Sequence, residues 1–150
     1  MNAEDPVVNA AREAFSLRIA DSDNVSDHTR NAQAIAKAWR GKVYAMDPDR
    51  FQIEALVAPD LDQRIDVLDP ATTTAYELKV SGKQAHSEFY KDVVKLIVWN
   101  EKRKLKLTRH VFITEASWGQ KYLESPMVRA YRAHLEAHGL TTIITYLDRA

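Results

Sequence analysis

Glu77 and Lys79 stand two residues apart in a segment that reads as a β-strand, so both project from one face, while Tyr76, Leu78 and Val80 project from the other. The apolar trio belongs in a core, which leaves the acid and the base on the opposite side. A further carboxylate, Asp66, lies in the preceding strand segment, Gln63-Arg64-Ile65-Asp66-Val67-Leu68, where Ile65 and Val67 take the buried face. If the two strands pair as a hairpin centred between Ala71 and Thr72, Asp66 comes directly opposite Glu77. Two carboxylates then converge beside one ammonium. That set suits a hard divalent cation. Magnesium takes oxygen ligands at about 2.0–2.1 Å and keeps several waters, so Asp66, Glu77 and a backbone carbonyl make an open site. Such an ion polarises a phosphate oxygen and lowers the pKa of a bound water. Lys79 can orient that water and offset charge growing on phosphorus. Without an ion, crowding is expected to raise the pKa of Asp66 or Glu77, with Lys79 partly offsetting the effect. Taken alone, the trio also has the pattern of a solvated cross-strand ion pair.

The elements that must position these residues follow from periodicity. A first helix starts at Asp5 with Pro6 in its first position, where the missing N–H costs nothing, and Val8, Ala11 and Phe15 share a face. A second is expected over residues 27–39, with Ala32, Ile35, Ala36 and Trp39 at helical spacing and Gly41 placed to end it. Phe51, Ile53, Ala55 and Val57 alternate as in a half-buried strand. Ile65 and Val67 mark the second strand and residues 74–80 the third, with a turn at Asp69-Pro70 through Thr73 and Ser81-Gly82 after it. A long helix is expected over residues 84–104, a fourth strand over 109–114 around Val111-Phe112-Ile113, and a last strand over 140–147. Before that strand, Ser125 and Pro126 begin a helix carrying Val128, Tyr131 and Leu135 that Gly139 ends. Three strands followed by alternating helix and strand imply a mixed sheet, antiparallel at first and with a crossover later.

A 150-residue chain fits one domain, 1–150, with 45% hydrophobic and 28% charged residues, an ordinary globular balance. With no cysteine, disulfides, thiolate zinc sites and thiol catalysis are excluded. No apolar run approaches the roughly 20 residues of a membrane span, and the N-terminal segment has acids before any base and no apolar stretch, so a cytoplasmic protein is expected. Lys plus Arg and Asp plus Glu both total 21, a net charge of zero, which weakens the case for tight nonspecific DNA binding. The bases cluster between Lys91 and Arg109, as a solvated helix end or as a phosphate-facing patch.

Through Gln63-Arg64-Ile65-Asp66-Val67-Leu68 and Tyr76-Glu77-Leu78-Lys79-Val80, the chain resembles the PD-(D/E)xK nuclease superfamily over roughly residues 27–115. The first segment is similar to the "GRID" strand of RecB-type nucleases, with Gln63 where glycine is common. The resemblance implies a restriction-endonuclease-like α/β fold, an α-β-β-β-α-β core whose mixed sheet is flanked by helices. It also implies a metal-dependent nuclease that hydrolyses DNA phosphodiester bonds with Mg²⁺ or Mn²⁺. Carried over by position, Asp66 and Glu77 would be metal ligands, the Leu78 carbonyl a further ligand and Lys79 the catalytic lysine. The rival expectations are a catalytically silent binding or assembly subunit that keeps the fold, and a nuclease of a toxin or restriction system acting with a partner. DNA against RNA stays open.

Relatives in that superfamily carry an acid or histidine on a helix before the sheet. Here the candidates are Glu13, His28 and Gln33, with Glu13 ahead as the carboxylate. Gln84 and Tyr90 lie where RecB-type proteins have Gln and Tyr, but their separation does not match, and helix capping is the expected role of Gln84. His134 and His138, four apart near a helix end, suit the helix dipole better than a zinc ion. Trp39, Trp99 and Trp118 are expected in packing rather than on bases. The helix over 84–104 is apolar over a wide arc, Phe89, Val93, Leu96 and Ile97 with Tyr90, Val94 and Val98 beside them. A two-fold homodimer, or a terminal helix of the same chain lying over Tyr90 and Val94, would cover the excess.

Overall fold

The computed structural model describes residues 5–19 and 28–148. In it the period-2 segments form one sheet and the helical segments cover both its faces. Among the described residues the order is α1 (Pro6–Ile19), α2 (His28–Met46), β1 (Gln52–Ala58), β2 (Leu61–Asp69), β3 (Thr74–Lys79), α3 (Ala85–Lys102), β4 (Arg109–Glu115), α4 (Ala116–Leu123), α5 (Pro126–Ala137) and β5 (Thr141–Leu147). The five strands lie side by side in sequence order. Short turns make β1, β2 and β3 antiparallel, whereas helices return the chain between β3, β4 and β5, which run parallel. The sheet is therefore mixed, as the pattern of elements implies.

α1 and α2 cover one face, where Phe15, Ile35 and Trp39 pack on Val67, Tyr76 and Leu78. α3, α4 and α5 cover the other, where Phe89, Leu96 and Val128 pack on Leu68, Ala75 and Phe112. β3 is the middle strand, and residues 74–78 are all buried. A polar side chain on β3 thus meets protein on whichever face it takes.

Several elements depart from the periodicity reading. α2 does not stop at Gly41 but runs to Met46, and its expected start at Asp27 lies outside the described residues. Ile35, Trp39 and Val43 step by four and are fully buried. Burying a valine contributes about 1.5–3 kcal/mol, more than the roughly 1 kcal/mol that glycine costs in a helix. α3 begins at Ala85, after Gln84 in the left-handed region (φ 54°), and the Gln84 side chain makes no cap hydrogen bond. The helix ends at Lys102, and β3 ends at Lys79 rather than Val80. α4 was not anticipated at all. It is eight residues long and its cap is Glu115, whose carboxylate accepts from the Ser117 and Trp118 amides.

Ile65 and Val67 do not share a face as their alternation implies, since Ile65 packs on the α3 side of the sheet and Val67 on the α1–α2 side; the assignments that follow are as expected. Ser125 caps α5 at the Val128 amide, 3.2 Å, and Gly139 (φ +93°) follows its end. Trp39 and Trp99 are buried, with their indole N–H groups on the Val7 and Leu105 carbonyls at 3.0 Å. Of the wide apolar arc on α3, Tyr90 packs edge-on against Tyr131 of α5 at 5.3 Å, but Val94 and Ile97 stay exposed. Ile97 therefore leaves the buried stripe to which its spacing had assigned it. The basic run is partly spent on backbone: Arg103 donates to the Leu56 carbonyl and Lys106 to the Arg103 carbonyl. Among the described residues no helix is long and apolar enough to cross a membrane.

The β2–β3 turn fixes the register on which the candidate site depends. Asp69, 1% exposed, accepts from Arg50 Nε at 2.9 Å and Nη2 at 2.8 Å, from the Ala71 amide at 3.1 Å and from the Thr72 hydroxyl at 2.7 Å. Burial alone would raise the Asp69 pKa, but the Arg50 and Thr72 bonds outweigh it and hold the carboxyl below its ordinary range. The stability it contributes is present above the ordinary carboxylate pKa and is lost as the pH falls through the lowered one. Asp69→Ala should reduce unfolding free energy near neutral pH by about 2–3 kcal/mol. In denaturant titrations its gap from the parent chain should shrink in acid.

Candidate functional site

The hairpin register brings Asp66 to Glu77. Val67 pairs with Tyr76, Leu68 with Ala75 and Asp69 with Thr74, and the paired ladder stops there. One step further, Asp66 Oδ2 accepts from the Leu78 amide at 3.1 Å, so a carboxylate fills the place on the edge of β3 where the β2 backbone no longer pairs. Asp66 and Glu77 are close enough for the one to raise the pKa of the other. The register and the Asp66–Leu78 bond set Asp66 beside the Glu77–Leu78 segment of β3.

Glu77 faces α3 and is 3% exposed. Opposite it, Lys95 Nζ lies 3.0 Å from Glu77 Oε1 and 3.0 Å from Asp92 Oδ1. Lys95 also donates to the Arg64 carbonyl at 2.7 Å. The contact with Glu77 is an ion pair without hydrogen-bond alignment, and among the described residues Oε1 has no aligned donor. Asp92 and Lys95 were not among the sequence candidates. Lys95 had been counted within the basic run, yet it points inward. The available signal was Asp92, an acid interrupting the buried stripe Ala85, Phe89, Val93, Leu96 and Trp99.

Burial pushes the Glu77 carboxyl well above its ordinary range, reinforced by Asp66 and Asp92 and opposed by Lys95. Burial also raises Asp92, to about 6, against the pull of Lys95. For Lys95, burial would lower the ammonium pKa, but Glu77 and Asp92 outweigh it and the pKa is raised. The crowding expected between Asp66 and Glu77 thus falls on Glu77, and the offsetting cation is Lys95 rather than Lys79, because among the described residues it is Lys95 that is held against the carboxylate.

Lys79 ends β3 on the Glu77 side of the strand, is half-buried, and forms no ion pair among the described residues. Asp66 is half-buried as well, so solvent reaches its side chain while Glu77 behind it stays buried. The helix candidates do not join them. Glu13 is exposed and pairs with Lys42 at 3.3 Å, Gln33 is exposed, and the His28 side chain lies outside the described residues. His110, on the same face, is fully buried, lies against Phe89 with ring centroids 5.6 Å apart, and is pushed down to about 3 by burial and by Lys95. It is a neutral core residue. His134 and His138 are exposed at the end of α5, with His138 Nδ1 2.8 Å from the His134 carbonyl.

Among the described residues no group of three Asp, Glu or His side chains is arranged to hold a metal ion. A cation here would rest on Asp66, Glu77 and a backbone oxygen, for which the Leu78 carbonyl is the candidate. The donors are of the class a hard divalent ion takes, since both are carboxylates, and such an ion would share Glu77 with the Lys95 ammonium, which stands 3.0 Å from Oε1. No family model, curated protein or solved structure matches the chain.

The raised Asp92 carboxyl gives a pH signature. A carboxyl raised on folding contributes stability below its unfolded pKa and loses it as the pH rises through the folded one, here between about 4 and about 6. Asp92→Asn removes that loss. Relative to the parent chain, the variant should gain stability across this window, by on the order of 3 kcal/mol. Denaturant unfolding of both proteins at stepped pH checks it, and a constant difference would refute the assignment.

Proposed function

We propose that this chain is a metal-dependent nuclease that hydrolyses phosphodiester bonds in DNA, with Asp66, Glu77 and Lys79 at its centre. The observation that carries the reading is the meeting of Asp66 and the buried Glu77 at the end of the β2–β3 ladder, with Lys79 two residues on. The α-β-β-β-α-β succession from α2 to β4 and the mixed sheet support a restriction-endonuclease-like core, since that is the order the resemblance implies.

Each residue has a task that follows from its setting. The Leu78 amide holds Asp66 by Oδ2, and Oδ1 is the atom that would meet a ligand. Glu77 offers an oxygen from the floor of the site, and Lys95 opposes the rise in its pKa that burial causes. Lys79, uncommitted to any ion pair among the described residues, can place its ammonium on a phosphate oxygen as charge develops there. Bound between the carboxylates, Mg²⁺ or Mn²⁺ would supply the Lewis acidity that polarises the phosphate and lowers the pKa of water.

A second reading is favoured by Lys95 itself. Its ammonium already balances Glu77 and Asp92, as a silent binding or assembly subunit with this fold would need. Cleavage separates the two. Purified protein should cut plasmid DNA with Mg²⁺ or Mn²⁺ and not with chelator. Lys79→Ala should lower the rate at least about 100-fold with an unchanged melting temperature, because a charge acting only in the transition state acts on rate. Equal rates for variant and parent, or none from either, would contradict the proposal.

A further inference from the structure

Next to the end of β3 where Lys79 emerges, three aromatic rings form a row that the nuclease centre does not use. His86, on the first turn of α3, stacks on Tyr122 of α4 with centroids 5.1 Å apart and planes 15° apart. Tyr122 lies beside Trp118 at 6.2 Å and 17°. The three planes are therefore close to parallel. Lys121 Nζ sits over two of them, 5.0 Å from the Trp118 ring centroid and 5.8 Å from that of Tyr122. Trp118 is 42% exposed, in contrast to the buried Trp39 and Trp99.

The row is fixed to the site by a close backbone approach. A Cβ on Gly82 would fall 2.3 Å from the Gly119 nitrogen, so only glycine lets the turn after Lys79 lie against α4. Lys83, exposed in that turn, adds a cation three residues before His86.

We infer that Trp118, at the exposed end of the row and backed by Tyr122 and His86, stacks on an unpaired base of single-stranded DNA, with Lys121 and Lys83 taking the flanking phosphates. The nucleic-acid class rests on the nuclease reading; the stacking itself is argued from the rings. An exposed indole held by a stacked ring behind it, with an exposed lysine beside it that can turn to a phosphate, suits a flat base carried on an anionic backbone, and every base has such a face. A second protein copy fits less well. The exposed neighbours of Trp118, namely Ser117, Gln120 and Lys121 on α4 and Glu124 just after it, are polar or charged, whereas a protein interface core favours contiguous apolar surface.

The test is binding of the full chain to oligothymidylate in chelator, followed by strand anisotropy, so that no cleavage enters. Trp118→Ala and Tyr122→Ala should each weaken binding roughly tenfold, and Trp118→Phe should recover most of it. A strand of the same length made of abasic sites should bind the parent chain as weakly as oligothymidylate binds Trp118→Ala. The inference is overturned if Trp118→Ala binds as tightly as the parent with its fold intact by circular dichroism. It is equally overturned if abasic and base-bearing strands bind alike, or if the parent binds neither. Loss of self-association in Trp118→Ala by light scattering, with strand affinity unchanged, would assign the row to a second copy instead. Base-dependent binding without any metal-dependent cleavage would keep the stacking surface and remove the nuclease. Cleavage abolished by Lys79→Ala but strand affinity untouched by Trp118→Ala would do the reverse.

Discussion

A carboxylate on the middle strand of a sheet covered on both faces has lost its water, and what replaces that water organises this molecule. Glu77 is in that position. An isolated ionised carboxylate is too costly to bury, so the group must be protonated, paired with a cation, or both in alternation. Lys95 supplies the pairing and is itself held by Asp92 and by the Arg64 carbonyl. α3 is consequently seated on the sheet by two sets of contacts: an apolar stripe through Phe89, Val93 and Leu96, and a charged triad alongside it. The apolar stripe supplies most of the burial. The triad restricts how the helix can rotate, since any rotation leaves Glu77 unpaired.

The same constraint explains where the site opens. β2 and β3 pair closely from the Asp69 turn up to Val67 and Tyr76, after which the Leu78 amide goes to the Asp66 side chain. A side chain that satisfies a backbone donor is held nearly as firmly as the strand itself. Asp66 can therefore stand near a second carboxylate without swinging into solvent to escape the repulsion. Stored repulsion of this kind, relieved by a cation, is how rigid acidic sites gain affinity for hard metal ions.

Much of this was legible in the sequence. Alternation in the three leading strands, Pro6 and the Ser125-Pro126 pair located elements to within a residue or two, and a hairpin centred between Ala71 and Thr72 placed Asp66 across from Glu77. The exceptions have physical causes. α4 escaped because its cap is a glutamate at the end of a strand and because eight residues show little periodicity. α2 outran Gly41 because Val43 has a core to enter. Lys95 escaped because it belongs by sequence to a run of bases, and only the tertiary fold turns that one inward. Glu13 has the charge of a ligand but stands exposed on α1, where its partner is Lys42.

The central claim is that Asp66 and Glu77 share a divalent cation. Crystals grown with Mn²⁺, with diffraction recorded at a wavelength where manganese scatters anomalously, test it most directly. The account predicts an anomalous peak about 2.1 Å from one oxygen of each carboxylate, the distance expected for a small hard cation. A map without that peak at saturating Mn²⁺, in which Lys95 remains the only cation on Glu77, would contradict it.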